Sequence, residues 1–278
     1  MVNLVALGAG LASWAYVDGA ARWPWIVASG LWTGYWLHAH SLFLHESAHY
    51  NLAPSRRAND LLASLMYTPL FGVTVATYRR IHWQHHRFLG MEGDTEISYC
   101  RPLNFRRLIG DLCGLGAIAA ALRYASVSAR GSTAQRQGRG GMRATLPIAG
   151  LFHSGLVLGL WLAWGVAAAA SWLFGVLSYF MLQAVRQTLE HRAPSAGGRV
   201  LASPAEQGPV NRIFGEDFFS RTFGGAGFNK HMLHHWDPTV SYTRLGDMQR
   251  FLECTPLRDR VSQSTTTYLA TARKLWHG

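Results

Sequence analysis

The chain has 278 residues, of which 49% are hydrophobic and only 15% are charged. Its 26 Lys and Arg residues exceed its 15 Asp and Glu residues, which gives a formal net charge of +11. The hydrophobic residues form long blocks between basic segments, which favours a membrane protein over a nucleic-acid-binding one. Three cysteines without C-x-x-C spacing argue against a disulfide framework and a thiolate metal site.

Four apolar blocks predict membrane-spanning helices, because a helix that crosses a bilayer needs about 20 mostly apolar residues. Tryptophans lie near several proposed ends, as is typical of membrane interfaces. The predicted spans are near residues 2–17, 24–44, 146–164 and 166–185. Basic residues are concentrated in the loops on one side, so we expect both termini and every histidine cluster to be cytoplasmic.

Residues 61–78 are apolar enough for another span, but one crossing there would separate the histidines before it from those after it. Pro69 and Gly72 in its middle predict a broken re-entrant or interfacial element instead. Residues 108–125 are interrupted by charged side chains and predict an interfacial helix.

Residues 126–143 are rich in Ser, Gly, Gln and Arg and have no apolar periodicity, which predicts a mobile cytoplasmic loop. The expected fold is a single all-α integral membrane domain, residues 1–278. It has about four transmembrane helices, interfacial or re-entrant helices, and a cytoplasmic histidine-rich cap.

Eight of the 13 histidines fall in three short clusters, H-E-S-A-H, H-W-Q-H-H and H-M-L-H-H. Residues three or four apart share a helix face, so we expect each cluster to form one patch of imidazoles. Imidazole suits iron, copper, zinc and nickel, so the spacing leaves the metal open. The predicted ligands are His45, His49, His82, His85, His86, His231, His234 and His235, with His191 as a ninth.

These clusters carry a resemblance to the membrane fatty acid desaturase and hydroxylase superfamily, which includes carotenoid ketolases and hydroxylases. The resemblance covers most of the chain. It rests on H-E-S-A-H, H-W-Q-H-H and N-K-H-M-L-H-H in this order, on the two spans before the third motif, and on Glu190-His191 after the last span.

The resemblance implies a cytoplasmic centre of two non-haem iron ions bound by the nine histidines. Such a centre activates O2 and removes hydrogen from a C–H bond of a lipid or fatty-acyl-like substrate, by desaturation or hydroxylation. The resemblance also implies that Asn229 holds a metal-bound water, although a helix cap is an equal alternative for that residue.

The electrons for this chemistry are expected from a separate protein, because the sequence has no dinucleotide fingerprint, P-loop or c-haem motif. A ferredoxin, a rubredoxin or a cytochrome b5-like protein would serve, and a basic cytoplasmic face would steer an acidic donor. The other expected partners are membrane lipids and a hydrophobic substrate from the bilayer or the cytoplasmic face. No nucleic-acid partner is expected.

Carboxylates near the clusters are candidates to accept the second N–H of a metal-bound imidazole, although solvated loop charge is their ordinary alternative. They are Glu46, Asp94, Glu96, Glu190, Asp217 and Asp237. His38 shares a helix face with His45, and His153 lies inside a predicted span, so both are candidates to line a substrate channel. For His153, a hydrogen bond to a neighbouring helix is a competing interpretation.

Two other functions fit part of the sequence. His45, Glu46 and His49 spell H-E-x-x-H, which in an intramembrane zinc peptidase would supply two ligands and a general base. That interpretation leaves the other two clusters unexplained. A histidine-rich metal carrier or a haem-binding membrane protein would account for the histidines without catalysis.

Overall fold

The structure is a computed structural model that describes residues 2–96, 99, 104–115, 133–192, 201–203, 205–207, 211–225 and 228–277, without the side chains of residues 107, 108, 133–143, 276 and 277. These residues are helical apart from turns, irregular segments and two strands of two residues each. The prediction of an all-α protein is therefore confirmed.

In the part of the chain that the structure describes, seven α-helices precede the strands: α1 Val2–Ala12, α2 Arg22–Ala48, α3 Arg56–Phe71, α4 Val75–Phe88, α5 Phe105–Leu112, α6 Thr133–Trp164 and α7 Val166–His191. Five shorter helices belong to the last quarter of the chain: α8 Phe218–Gly224, α9 His231–Trp236, α10 Leu245–Glu253, α11 Arg258–Ser264 and α12 Tyr268–His277. Strand β1, Ile213–Phe214, pairs in parallel with β2, Thr265–Thr266.

The chain divides into two compact units. The first comprises Met1–Leu44, Asp60–Tyr78 and Phe105–Ala184, and its core contains Trp14, Leu37, Leu160 and Trp172. The second comprises His45–Asn59, Arg79–Asn104 and Val185–Gly278, and its core contains Ile213, Leu233, Leu245 and Val261.

Two helices are long and apolar enough to cross a membrane, Ala144–Trp164 within α6 and the whole of α7. They coincide with the spans predicted near 146–164 and 166–185. The apolar segment Val2–Tyr16 is shorter. Helix α2 has the length of a span but includes several polar residues, among them Ser29, Thr33 and His38. The structure therefore supports two spans, or three if α3 and α4 together form one.

The structure confirms the break predicted within the apolar segment 61–78. Helices α3 and α4 meet at an angle of 85°, and Gly72 at the break has a φ of +64°, which a residue without a Cβ adopts readily. Two side chains of α6 satisfy the carbonyl groups that the end of α3 exposes. Thr145 Oγ1 donates to Gly72 O at 2.6 Å, and His153 Nε2 donates to Leu70 O at 2.9 Å.

Two other local predictions need correction. The helix predicted over 108–125 is interrupted after Leu112 by a turn through Gly114, whose φ is +70°; Leu115 is again helical, and residues 116–132 lie outside the described part of the chain. The irregular loop predicted over 126–143 is helical from Thr133, where α6 begins. This segment contains Gly138, Gly140 and Gly141, which disfavour a helix, but it leads directly into the apolar span and extends the helix of that span.

Helices α2 and α7 approach closely in the first unit through small residues. A Cβ atom at Gly34 would lie 2.5 Å from Ser178 Cβ and 2.9 Å from Gly175 O. A Cβ at Gly175 would in turn lie 2.7 Å from Thr33 Cγ2. Small residues that let two backbones approach are a usual way for helices to associate in a membrane.

Gly34→Ala is therefore expected to destabilise the protein, by about 1–3 kcal/mol as for other overpacked sites. Thermal unfolding in detergent, followed by circular dichroism, would measure this as a lower melting temperature. Gly150→Ala is the matched control, because its Cβ would meet nothing within 4 Å. The control should be neutral or stabilising, since Ala favours a helix more than Gly does. Equal melting temperatures for the two variants would contradict the close packing.

Candidate metal centre

The second unit contains all nine histidines that the sequence marks as ligand candidates. They come from the last turn of α2 and the residue that follows this helix, from α4, from the last residue of α7, and from α9. Their ring nitrogens form two groups, and within each group the nitrogens lie within 4.8 Å of one another. The five-histidine group is His45, His49, His82, His86 and His234, and the four-histidine group is His85, His191, His231 and His235.

This division differs from the expectation that each sequence cluster forms its own patch. In α4, His82 and His86 join the five-histidine group while His85 joins the other. In α9 the assignment is reversed, because His231 and His235 join the four-histidine group and His234 joins the other.

Helix geometry explains the division. Successive residues turn by about 100°, so positions i and i+4 differ by about 40° in direction while position i+3 points about 60° to the other side. Each H-x-x-H-H helix therefore gives an i, i+4 pair to one group and its middle histidine to the other. The spacing of the histidines in the two H-x-x-H-H motifs could therefore have predicted this division from the sequence.

The Nε2 atoms converge within each group. In the five-histidine group, His86 Nε2 lies 3.0 Å from His82 Nε2 and 3.1 Å from His234 Nε2. In the four-histidine group, His231 Nε2 lies 3.0 Å from His191 Nε2 and 3.1 Å from His235 Nε2. Two nitrogens bound to one ion at about 2.1 Å and at right angles are about 3.0 Å apart, so the spacing fits adjacent ligands of one metal ion.

Several of these nitrogens are buried without a hydrogen bond. Both ring nitrogens of His45 and of His49 lack a hydrogen-bond partner among the residues that the structure describes, as do Nδ1 of His231 and of His234. An unsatisfied buried polar atom costs about 1–3 kcal/mol. A metal ion is the kind of partner that a neutral imidazole nitrogen would bind in such a place.

The electrostatics of α9 keep its imidazoles neutral. Burial lowers the pKa of His231, His234 and His235 well below the usual value, and neighbouring histidines lower it further, because several cations in one buried place repel one another. A neutral imidazole keeps the lone pair that a metal ion requires.

Two of the carboxylates predicted as supports hold histidines of α4. Asp94 is buried, and its Oδ1 accepts the Nδ1–H of His85 at 2.9 Å. Glu96 Oε1 lies 3.3 Å from Nδ1 of His82. A proton fixed on Nδ1 places the lone pair on Nε2, the nitrogen through which His82 meets its group.

A set of further side chains, which sequence reasoning did not find, holds these carboxylates in turn. The Tyr99 hydroxyl donates to Asp94 Oδ2, and Gln187 Nε2 donates to Glu96 Oε2 at 3.1 Å. Arg192 donates to the backbone carbonyl of Tyr99 at 2.8 Å. No motif marks these residues, because their role depends on tertiary contacts.

The remaining carboxylates have other contacts. Glu46 accepts the backbone N–H of Tyr242 at 3.2 Å and lies 3.7 Å from His45 Nδ1. Glu190 lies 3.4 Å from the Tyr268 hydroxyl and 3.6 Å from Arg186.

Asp237 and Asp217 are local caps, contrary to their prediction as partners of the histidines. Asp237 accepts from the backbone N–H and the hydroxyl of Thr239, and Asp217 accepts from the N–H of Ser220 at the start of α8. A short Asp side chain reaches its own following backbone more readily than a distant ring.

Asn229 is buried and lies two residues before the start of α9. Its amide nitrogen donates to the backbone carbonyls of Phe214 at 3.3 Å and of Gly215 at 2.9 Å. These bonds hold β1 against the segment that carries the third histidine cluster. Its predicted role towards a metal-bound water stays a prediction.

The two histidines predicted to line a channel belong to the first unit. Both ring nitrogens of His153 are engaged, since Nε2 donates to Leu70 and Nδ1 accepts from Trp172 Nε1 at 3.1 Å. Its ring also borders a groove of about 360 Å³ with Leu158 and Trp161. These bonds favour the competing interpretation, in which His153 links helices. His38 is buried in α2, and its channel role stays a prediction.

A cavity of about 400 Å³ in the second unit reaches one histidine of each group, His86 and His235. Exposed side chains, among them Trp236 and Arg260, also line it, so it connects the histidines with the surface.

The fold and the site together define an all-α protein with two helices long and apolar enough to cross a membrane, and with nine histidines of the second unit in two groups suited to metal ions. Residues 21–265 match the family model described as Fatty acid desaturase. The chain therefore belongs to the fatty acid desaturase family, which confirms the resemblance drawn from the histidine clusters. Membership makes it an oxidoreductase and favours an integral membrane protein.

Proposed function

We propose that this protein is an O2-dependent membrane oxidoreductase that binds one iron ion in each histidine group and activates a C–H bond of a lipid or fatty-acyl-like substrate. The observation that carries the proposal is the division of nine histidines into two adjoining groups of nitrogen donors, with rings of the two groups as close as 4.4 Å between the centroids of His86 and His235. A site for one ion would not need the second group.

When bound, two iron ions would supply the activation of O2 and the electron transfer that side chains of this chain cannot provide. The chain would contribute binding and orientation. Glu96 and Asp94 orient the rings of His82 and His85 through contacts with Nδ1. Burial keeps the imidazoles of α9 neutral. Seven of the nine histidines are buried, which would limit the access of bulk water to the metal centre except through the cavity at His86 and His235.

Desaturation and hydroxylation remain two outcomes of the same proposal. Both use one O2, two electrons and two protons, and they differ in whether two waters or one alcohol and one water are formed. The electrons would come from a ferredoxin, a rubredoxin or a cytochrome b5-like protein. A docking position over the cavity beside His86 and His235 would bring such a donor towards both groups, and Arg260 there would favour an acidic surface.

Turnover with a reduced donor, O2 and a membrane lipid extract tests the function. We expect oxygen consumption that depends on the donor, and a product with a new double bond or hydroxyl group by mass spectrometry. His49→Ala should abolish both signals, while Gln84→Ala, a change between the histidines of α4, should retain them. Oxygen consumption unaffected by His49→Ala would contradict the proposal, and peptide cleavage that requires zinc would favour the H-E-x-x-H interpretation.

We also propose the complete topology, with four crossings near residues 2–17, 24–44, 146–164 and 166–185 and with both termini and the histidines on the cytoplasmic side. The uneven distribution of basic residues supports it. In sealed vesicles of known orientation, a membrane-impermeant maleimide should reach Asp18→Cys from the outside, because that side chain is exposed between α1 and α2. The exposed Cys254 should react only after permeabilisation. Labelling of both from one side would contradict this topology.

A further inference from the structure

Helix α8 of the second unit exposes two large aromatic side chains. Phe218 is 85% exposed and Phe219 is 57% exposed, although α8 is anchored by its Asp217 cap and by the stacking of Phe219 on Phe223 at 5.6 Å between ring centroids. Rigid, exposed aromatic residues next to one another usually mark a contact surface.

Helix α12 extends this surface with apolar and basic side chains. Its buried first residue, Tyr268, contacts the rings of Phe219 and Phe223 at centroid distances of 6.3 and 4.8 Å. The next residue, Leu269, is 58% exposed, and Arg273 lies one helical turn further on the same face. Arg273 and the neighbouring Lys274 are exposed and have no ion-pair partner in the described parts of the chain.

Tyr268 also connects α12 with the end of the long apolar helix α7. Its hydroxyl lies 3.4 Å from Oε1 of Glu190, the residue before the last one of that helix.

The geometry points to a membrane anchor that lies in the plane of the bilayer surface. We propose that Phe218, Phe219 and Leu269 insert between lipid headgroups, while Arg273 and Lys274 contact the phosphates of anionic lipids. Aromatic and leucine side chains on one face with basic side chains beside them are typical of helices that bind at this interface. The positive charge of Arg273 and Lys274 beside exposed apolar side chains complements an anionic bilayer surface, so the occupant that this surface fits is lipid.

Depth-dependent fluorescence quenching tests this inference on the full-length protein in vesicles of phosphatidylcholine and phosphatidylglycerol. A bimane label would be placed at Phe218→Cys in a background with Cys100, Cys113 and Cys254 replaced by Ser. A second sample would carry the label on the native, exposed Cys254 of the same unit, with the other two cysteines replaced. A third would carry it at Leu151→Cys, an exposed position inside the α6 span.

We expect lipids brominated near the headgroup to quench the label at position 218 at least about twofold more than the label at 254, with the opposite order for aqueous iodide. Leu269→Cys should behave as position 218 does and serves as a second variant. Equal iodide quenching at 218 and 254 would overturn the inference, as would protection from both quenchers, which indicates a protein partner or a second copy. The label at Leu151 separates these outcomes from a failure to insert, because deeply brominated lipids should quench it in every case.

Discussion

Replacing His234 or His235 by alanine is expected to reduce turnover by more than about 100-fold and to lower the iron content from two towards one per chain. The loss of a residue that only orients a ligand already costs about 10–100-fold, and these variants would remove a proposed ligand itself. The two residues are neighbours in α9 but belong to different groups, so each variant should weaken a different ion. Metal analysis of purified protein, together with the oxygen assay, measures both effects.

Double variants test whether the two histidine groups bind separate ions. His231 and His235 share the four-histidine group, so replacing both should leave the other ion in place. His234 and His235 belong to different groups, so replacing both should remove both ions. Gln84→Ala is the control and should keep two irons. Full iron content in the His235→Ala protein, or the same loss in both double variants, would contradict two separate groups.

Replacing Asp94 is expected to have the second largest effect. Its buried carboxylate accepts from His85 Nδ1, from the Tyr99 hydroxyl, and from the backbone N–H groups of Gly90 at 2.8 Å and Glu96 at 2.8 Å. Asp94→Ala would leave these donors unsatisfied and free the ring of His85 to turn. We expect iron affinity to fall by about 10–100-fold.

Iron retained during dialysis against a chelator measures this effect, with circular dichroism as the test of folding. Tyr99→Phe is the matched control, because it removes one donor to the same carboxylate and leaves the bond to His85 in place. A small loss of iron is expected for Tyr99→Phe and a large loss for Asp94→Ala. If the two folded variants lost iron equally, Asp94 would not act through His85.

The sequence predicted the helical fold because the apolar blocks and their lengths are local properties of the chain. The helices near 146–164 and 166–185 and the break around Gly72 were found in this way. The start of α6 at Thr133 was not found, because a polar segment with three glycines carries no helical pattern of its own, whereas a helix that has already formed can be extended one residue at a time.

The site was predicted as a set of residues but not as two groups. The i, i+4 spacing of His82 and His86 contained the information, yet which other cluster faces His85 depends on how α4, α7 and α9 pack. The carboxylates that hold the histidines also depend on contacts that the sequence does not show. Asp94 and Glu96 were candidates because they lie close to α4 in sequence, whereas Asp237 was a candidate for the same reason and caps a turn instead.

The amount and identity of the bound metal test the central proposal most directly. The protein would be purified without oxygen from iron-supplemented cells, and its metals would be quantified per chain by mass spectrometry. Two irons per chain are expected, one for each histidine group. A single zinc ion per folded chain, with no iron bound, would contradict a two-iron oxidoreductase. It would favour the peptidase interpretation, in which His45 and His49 bind zinc and Glu46 is the general base.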